Sequence, residues 1–334
     1  MLLQSRVVLV DNMNSKSPSV HCIGHVTLDT FLELYEADVV CDINSKECKV
    51  SFGFGAKVPV KNVRYGIGGG ASNVSVGLKK LGIQSYLHTT VGDDPKGVDI
   101  KNELGQLGVD LSYLKVDGFP TDQSAILSYF KERTIFTYSQ KRKIVFDVSF
   151  AEYIFLSSIG GEIADIYPQV IKLKKKNPSP VLFFNPGSKE LKNSRGEILK
   201  VLECSDYLIC NVEEALMIID PSLTRSQIEI PDMLDILIQK GADNVVLTDG
   251  INGSHALIDG QFYTVPIHQV EVVEKTGAGD AFASGFISGV VHGALALDSL
   301  KRGAVNGASV ITKPGSQNGL LDLSEMELKV RIWY

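Results

Sequence analysis

The chain has 334 residues, is 44% hydrophobic and 22% charged, and carries a mean hydropathy of +0.09. That length admits one large α/β domain or two ordinary ones, and the apolar content rules out disorder over most of it. Thirty-three Lys and Arg against 39 Asp and Glu give a net charge of −6 with no arginine-rich run, so nucleic acid is not an expected partner.

The longest near-apolar stretches, such as Val181–Phe184, Tyr207–Cys210 and Val245–Leu247, are strand-sized and far short of the roughly 20 residues of a spanning helix. No membrane association is expected. Met1–Val10 contains Arg6 and is followed by no small-residue cleavage site, which argues against a signal peptide and for a cytoplasmic location. The five cysteines (Cys22, Cys41, Cys48, Cys204, Cys210) include no Cys-x-x-Cys pair and are read as reduced thiols, not as a disulfide frame or a zinc site.

Residues 1–19 read as an extension, or as a first strand with a slack connection, ahead of one domain over 20–330. In chain order the expected elements are a strand at Val20–Gly24, a helix at Asn73–Leu81, a strand at Gln84–Val91 and a helix at Gly97–Leu107. There follow strands at Val181–Phe184 and Tyr207–Cys210, a helix opening near Val212, a strand at Val245–Thr248 and an Ala/Gly-rich helix from Ala281 to Gly293. Short apolar strands alternating with helices predict an α/β three-layer sandwich with a mostly parallel central sheet. Phe31–Arg64 and Leu114–Tyr138 break the rhythm, being rich in Val, Phe, Tyr and Thr without helical period. Both are expected to be antiparallel strands that pair as a small sheet, a lid, whose exposed edge offers a route to a homodimer.

Three motifs carry possible chemistry. Gly66-Ile67-Gly68-Gly69-Gly70-Ala71, followed by Ser72 and Asn73, fits a dinucleotide-binding turn literally, but it lies far from the first strand. Two other readings are a glycine-rich helix start for close packing, and a backbone that a substrate can approach while the Asn73 amide bonds its hydroxyls. The second motif is sharper: Thr276-Gly277-Ala278-Gly279-Asp280 opens a helix with small residues, so backbone amides and the helix dipole converge as an anion site. Asp280, beside those amides, can accept a proton from a hydroxyl; alone it would be an ordinary first-turn residue. The third is Asn211-Val212-Glu213-Glu214 at a strand's carboxyl end, either a capping box or a carboxylate that orders hydrated Mg²⁺ beside nucleotide phosphates. Thr248, Gly250 and Gly253 mark a strand-to-turn edge that could flank a nucleotide. There is no P-loop, no protein-kinase motif and no His-Glu-x-x-His.

With Gly-Gly-Gly-Ala-Ser-Asn near the front and Thr-Gly-Ala-Gly-Asp near the back, the chain resembles the ribokinase-like (PfkB-type) carbohydrate kinase family from about His21 to about Leu321. Ile23-Gly24 leading to Asp29, Val91-Gly92-Asp93-Asp94 with Gly97, Asn211 with Glu214, and Asn306 ahead of Gly315 support the likeness. The resemblance implies transfer of the γ-phosphoryl group of ATP, with Mg²⁺, to a primary hydroxyl of a ribose- or fructose-like sugar. It implies Asp280 as base with the Gly277, Ala278 and Gly279 amides as anion hole. Asp29, Gly69, Gly70 and Asn73 would lie at the sugar, Asn211, Thr248, Gly250, Gly253 and Asn306 along the nucleotide, and Glu214 at the Mg²⁺ through water. The family usually has Asp-Thr where Glu274-Lys275 stand, which leaves activation by a monovalent cation such as K⁺ open, and Gly70 stands where ribokinases proper tend to carry Lys. The alternatives are a nucleoside kinase with a base pocket among Phe52, Phe54, Phe130 and Phe136, a non-catalytic nucleotide- or sugar-binding regulator, and, furthest out, a nicotinamide dehydrogenase on Gly66–Ala71.

Overall fold

Runs of Val, Leu, Ile and Phe form strands here because two layers of helices cover them. The computed structural model describes residues 18–42, 47–130, 132–146, 151–160, 163–176 and 179–334, so the extension or first strand expected at 1–19 lies outside the described residues up to residue 17. In chain order the elements are β1 (Ser19–Ile23), β2 (Thr27–Leu34), β3 (Asp38–Asp42), β4 (Glu47–Ser51), β5 (Val60–Gly68), α1 (Gly70–Lys80), β6 (Gln84–Gly92), α2 (Pro95–Gln106), β7 (Leu114–Asp117), β8 (Gln123–Tyr129) and β9 (Glu132–Tyr138). They continue as β10 (Tyr153–Leu156), α3 (Ile163–Lys174), β11 (Val181–Phe184), α4 (Ser188–Leu202), β12 (Tyr207–Asn211), α5 (Val212–Ile219), α6 (Ile230–Gln239), β13 (Asn244–Thr248), β14 (Ser254–Ile258), β15 (Gln261–Val265), α7 (Ala278–Val291), α8 (Ala296–Val310) and α9 (Leu323–Trp333).

The central sheet has the order β15-β14-β13-β12-β11-β10-β1-β6-β7 and is parallel from β13 to β7, with β14 and β15 antiparallel at one edge. Side chains alternate between two cores. Phe155, Phe183, Ile209 and Val246 face α1, α2, α7 and α8, while Ile154, Leu182, Leu208 and Val245 face α3 to α6. Burying such a side chain is worth ~1.5–3 kcal/mol, so a strand apolar on both faces is stable only between these layers.

A second sheet, β5-β2-β8-β9, is the lid. Its outer pairs are antiparallel as expected, but β2 and β8 join in parallel, each following a parallel strand of the central sheet, β1 and β7. Two expected boundaries are corrected. Leu114–Asp117 pairs with β6 and belongs to the central sheet, and the lid begins at Thr27, so Asp29 stands on a lid strand. β9 is the lid's free edge and every residue in it is exposed. The reading of all five cysteines as reduced is also corrected: the β3–β4 hairpin sets Cys41 directly opposite Cys48 and the two are bonded, leaving Cys22, Cys204 and Cys210 as thiols. Among the described residues no helix is long and apolar enough to cross a membrane.

Within the central sheet His21 Nδ1 meets His88 Nε2 at 2.9 Å, and Tyr113 stacks on His88. Burial pushes His21 down to about 4, against a partial pull from Asp110, and His88 to about 3, with His21 adding to it. An unfolded histidine takes up its proton near 6.5, so the unfolded chain binds protons first as pH falls. The stability from this neutral pair is therefore complete above about pH 6.5 and is lost toward pH 4 and 3. The thermal midpoint should already drop between about pH 6.5 and 5, before most carboxylates titrate, and less so when His21→Phe and His88→Phe are combined. Equal slopes in the two proteins would contradict it.

Candidate active site

The strand order reverses direction at β1: β6 and β7 lie to one side of it, β10 to β15 to the other. Ligands of open α/β sheets sit outside the carboxyl ends at such a point. Asp29, 5% exposed, accepts a 2.7 Å hydrogen bond from Thr27 Oγ1. Burial pushes its carboxyl up; Thr27, Ser124 and His25 oppose this, and the negative charge of Asp280 reinforces it. Asp280 lies in the first turn of α7, half-buried, and burial raises its carboxyl too, while Asn73, His25 and Arg133 pull it down. Two carboxyls in one electrostatic neighbourhood, both held toward the neutral form, suit a site that gives and takes a proton.

Asn73 is placed differently from the expectation that it holds substrate hydroxyls. Its Nδ2 donates to Asp280 Oδ2 at 2.8 Å, and its Oδ1 accepts from Ser316 Oγ at 3.1 Å and Gln317 Nε2 at 2.8 Å. It orients Asp280. The Gly66–Ala71 cluster is no dinucleotide turn: Gly66 to Gly68 end β5, Gly69 caps α1, and Gly70 begins it beside Ser157 and Asp280. Gly69 has φ 94°, and a Cβ there would stand 2.4 Å from the His25 carbonyl, so the close approach of β5 to the β1 end requires glycine.

Gly277 caps α7 in the left-handed region at φ 79°, and a Cβ would meet Ser316 Cα at 2.7 Å. This turn aims the start of α7 into a cavity of about 520 Å³ that Ala278 and Gly279 line. The Ala278 amide makes one long bond, 3.4 Å, to the Lys275 carbonyl. Thr248, Gly250 and Gly253 line the same cavity, with Ile251, Ile267, Phe282 and Ile311 as apolar walls. Its lining is mostly apolar, with Thr248, Ser254 and Lys275 among the polar side chains, which suits a planar base with a phosphate tail. Asn306 is not brought there. It is fully buried, its Nδ2 donating to the Ala281 carbonyl and Ser284 Oγ and its Oδ1 accepting from the Leu321 amide, because the cavity takes the face of α8 that carries Ala304, Gly307 and Ala308.

Asn211 and Glu214 form the capping box at the start of α5: Asn211 Oδ1 accepts from the Glu214 amide at 2.8 Å, and Glu214 Oε2 from the Asn211 amide at 3.1 Å. Ser188 Oγ donates to Glu214 Oε1 at 3.0 Å. Burial raises the Glu214 carboxyl, opposed by Asn211 and Ser188, and the charge of Asp280 raises it further. Among the described residues no group of three or more His, Cys, Asp or Glu gathers around a cation. A hydrated Mg²⁺ carried mainly by phosphates needs few protein carboxylates, and Glu214 would be the residue here to hold its water shell. Glu274 accepts from Arg64 Nη2 at 3.3 Å and from the Gly315 amide at 3.1 Å, so a cationic partner already stands at this departure from the family pattern.

A family description, pfkB family carbohydrate kinase, matches residues 35–323. The chain belongs to the pfkB family. Fructoselysine 6-kinase of Shigella flexneri is 26% identical over 75% of this chain and 91% of that protein. The nucleoside kinase of Methanocaldococcus jannaschii is 24% identical over 92% and 95%. The solved structure of that nucleoside kinase, an archaeal member of the ribokinase family, aligns with a TM-score of 0.73 at 22% identity, covering 96% of this chain and 100% of the other. Arabidopsis thaliana ribokinase, solved with ribose and ATP, gives a TM-score of 0.75 at 20% identity over 95% and 99%. This pfkB kinase therefore has the ribokinase fold.

Sequence reasoning missed His25 and the 316–317 loop. His25 follows β1, its Nδ1 donates to the Ser158 carbonyl at 2.8 Å, and it acts on both Asp29 and Asp280. Its place directly after Ile23-Gly24, at a parallel strand's carboxyl end, was the available signal. Nothing in Ser316-Gln317 hints at an Asn73 more than 240 residues away.

Proposed function

We propose that the protein transfers the γ-phosphoryl group of ATP to a primary hydroxyl of a small unphosphorylated sugar of ribose- or fructose-like type. The observation that carries this reading is the hydrogen bond from Asn73 of α1 to Asp280 at the start of α7, next to the residues that line the cavity and within the electrostatic reach of Asp29. The base occupies the cavity along Thr248, Gly250 and Gly253, which aims the phosphates at Gly277–Gly279. Asp29 accepts hydrogen bonds from sugar hydroxyls on the lid side. Asp280 takes the proton of the attacking sugar hydroxyl; the sugar oxygen bonds to the γ-phosphorus as the bond to the bridging oxygen of ADP breaks, and Asp280 later returns the proton to solvent. The amides at the α7 start hold the charge that develops on the transferring group. When bound, Mg²⁺ neutralises phosphate charge, and Glu214 and Asn211 would hold its water shell on the α5 side.

A base pocket for a nucleoside acceptor is not formed by the four candidate phenylalanines. Phe136 pairs with Ala125, which in turn pairs with Thr30, on the lid face opposite to Asp29, and Phe52, Phe54 and Phe130 are exposed. ADP release from ATP should be measured against free sugars and nucleosides. Sugars should lead in kcat/KM; a nucleoside outcompeting every sugar would overturn the sugar assignment, and no acceptor-dependent release at all would favour a non-catalytic binder.

A further inference from the structure

Lys275 stands two residues before Gly277 and lines the cavity with Ala278 and Gly279. Among the described residues it is the one Lys or Arg in that lining. Its Nζ does not point at an acid of the cavity. It pairs with Glu132 Oε1, at the start of lid strand β9. Both side chains are exposed, Lys275 by 46% and Glu132 by 73%, and ion pairs of such exposure add little net stability, so this one is easily exchanged. The neighbouring Glu274 behaves in the opposite way: 8% exposed, it is fixed between Arg64 and the Gly315 amide and anchors the backbone from which Lys275 projects. The Lys275 carbonyl is itself tied to the Ala278 amide. An anchored backbone, a loosely held ammonium and a phosphate-accepting helix start thus meet at one point.

We propose that Lys275 is a catalytic residue that rests on Glu132 of the lid and exchanges that carboxylate for the terminal phosphates of bound nucleotide. The assignment rests on the nucleotide reading of the cavity. A helix start offers only about half an elementary charge, whereas a triphosphate brings several, and the walls of this cavity are apolar. A flexible ammonium one turn away supplies a full charge, and it does so most strongly as the bridging oxygen of ADP takes up the electron pair of the breaking bond. The exchange frees Glu132, so the β9 edge of the lid loses its tie to the 274–280 turn whenever nucleotide occupies the cavity.

The test compares Lys275→Met, Lys275→Arg, Glu132→Gln and the double variant Lys275→Met with Glu132→Gln. Steady-state kinetics and calorimetric titration of ATP and ADP provide the readouts. Lys275→Met should lower kcat by ~10–100-fold, at or below the usual loss for one charge-stabilising donor, and should weaken ATP more than ADP. Lys275→Arg should recover most of kcat. Glu132→Gln should keep turnover near wild type and bind ATP as tightly or more tightly, because the ammonium no longer has a resting partner. A Glu132→Gln loss equal to that of Lys275→Met, with nothing further lost in the double variant, would make the pair a lid latch and overturn the proposal. So would unchanged kcat and ATP preference in Lys275→Met. Wild-type protein that binds neither ATP nor ADP would remove the nucleotide reading of the cavity and this assignment with it, a failure separable from the other two.

Discussion

Asp280→Asn should retain the fold and nucleotide affinity while losing ~10²–10⁴-fold in kcat, the usual worth of general-base assistance. The fold should survive because the amide is isosteric, and its oxygen can still accept from Asn73 Nδ2, which now lies 2.8 Å from Asp280 Oδ2. Removing a carboxyl that burial already disfavours is no structural loss, since Asp29 and Glu214 both feel its charge as a repulsion. What disappears is the carboxylate proposed to take the hydroxyl proton beside the Gly277–Gly279 amides. Steady-state rates at saturating ATP, with melting curves as a control for folding, provide the check. Near-wild-type turnover would remove Asp280 as base.

Asp29→Ala should raise the acceptor KM strongly and leave the KM for ATP nearly unchanged. A hydrogen bond to a charged group is worth ~1.5–3 kcal/mol, which corresponds to roughly 10- to 150-fold in affinity. Asp29 stands on the lid, away from the cavity, and its hydroxyl donor Thr27 and neighbour Ser124 remain to be hydrated when it is truncated. Asp29 is not the group proposed to take the hydroxyl proton, so kcat should move far less than KM. Equal rises in both Michaelis constants would mean that the lid as a whole had been disturbed, and an unchanged acceptor KM would place the sugar elsewhere.

How far the sequence could be read follows the range of the interactions. β11 occupies the run Val181–Phe184 to the residue, since four consecutive apolar side chains fit only a strand covered on both faces. The start of α7 was legible for a similar reason: small residues before an Asp open a helix through local backbone geometry, needing no distant partner. Asn73 illustrates the limit. Its residue type and place near a helix start were visible, but its partner Asp280 lies 207 positions away, so a hydrogen bond to that carboxyl could not be told from binding a hydroxyl. Asn306 was a motif position whose amide turns inward to hold α7 and the 321 amide, a choice set by which face of α8 meets the cavity. The Cys41–Cys48 bond depended on hairpin register, and register across β3 and β4 is fixed by pairing that composition does not encode.

The most direct measurement is phosphorus NMR of ATP incubated with the protein, Mg²⁺ and the best sugar of the acceptor series. A phosphomonoester signal split by the two protons of a CH₂ group, growing in step with ADP and absent with Asp280→Asn, is the expected result. Inorganic phosphate growing in step with ADP, or an ester formed only when a nucleoside is supplied, would contradict transfer to a sugar hydroxyl.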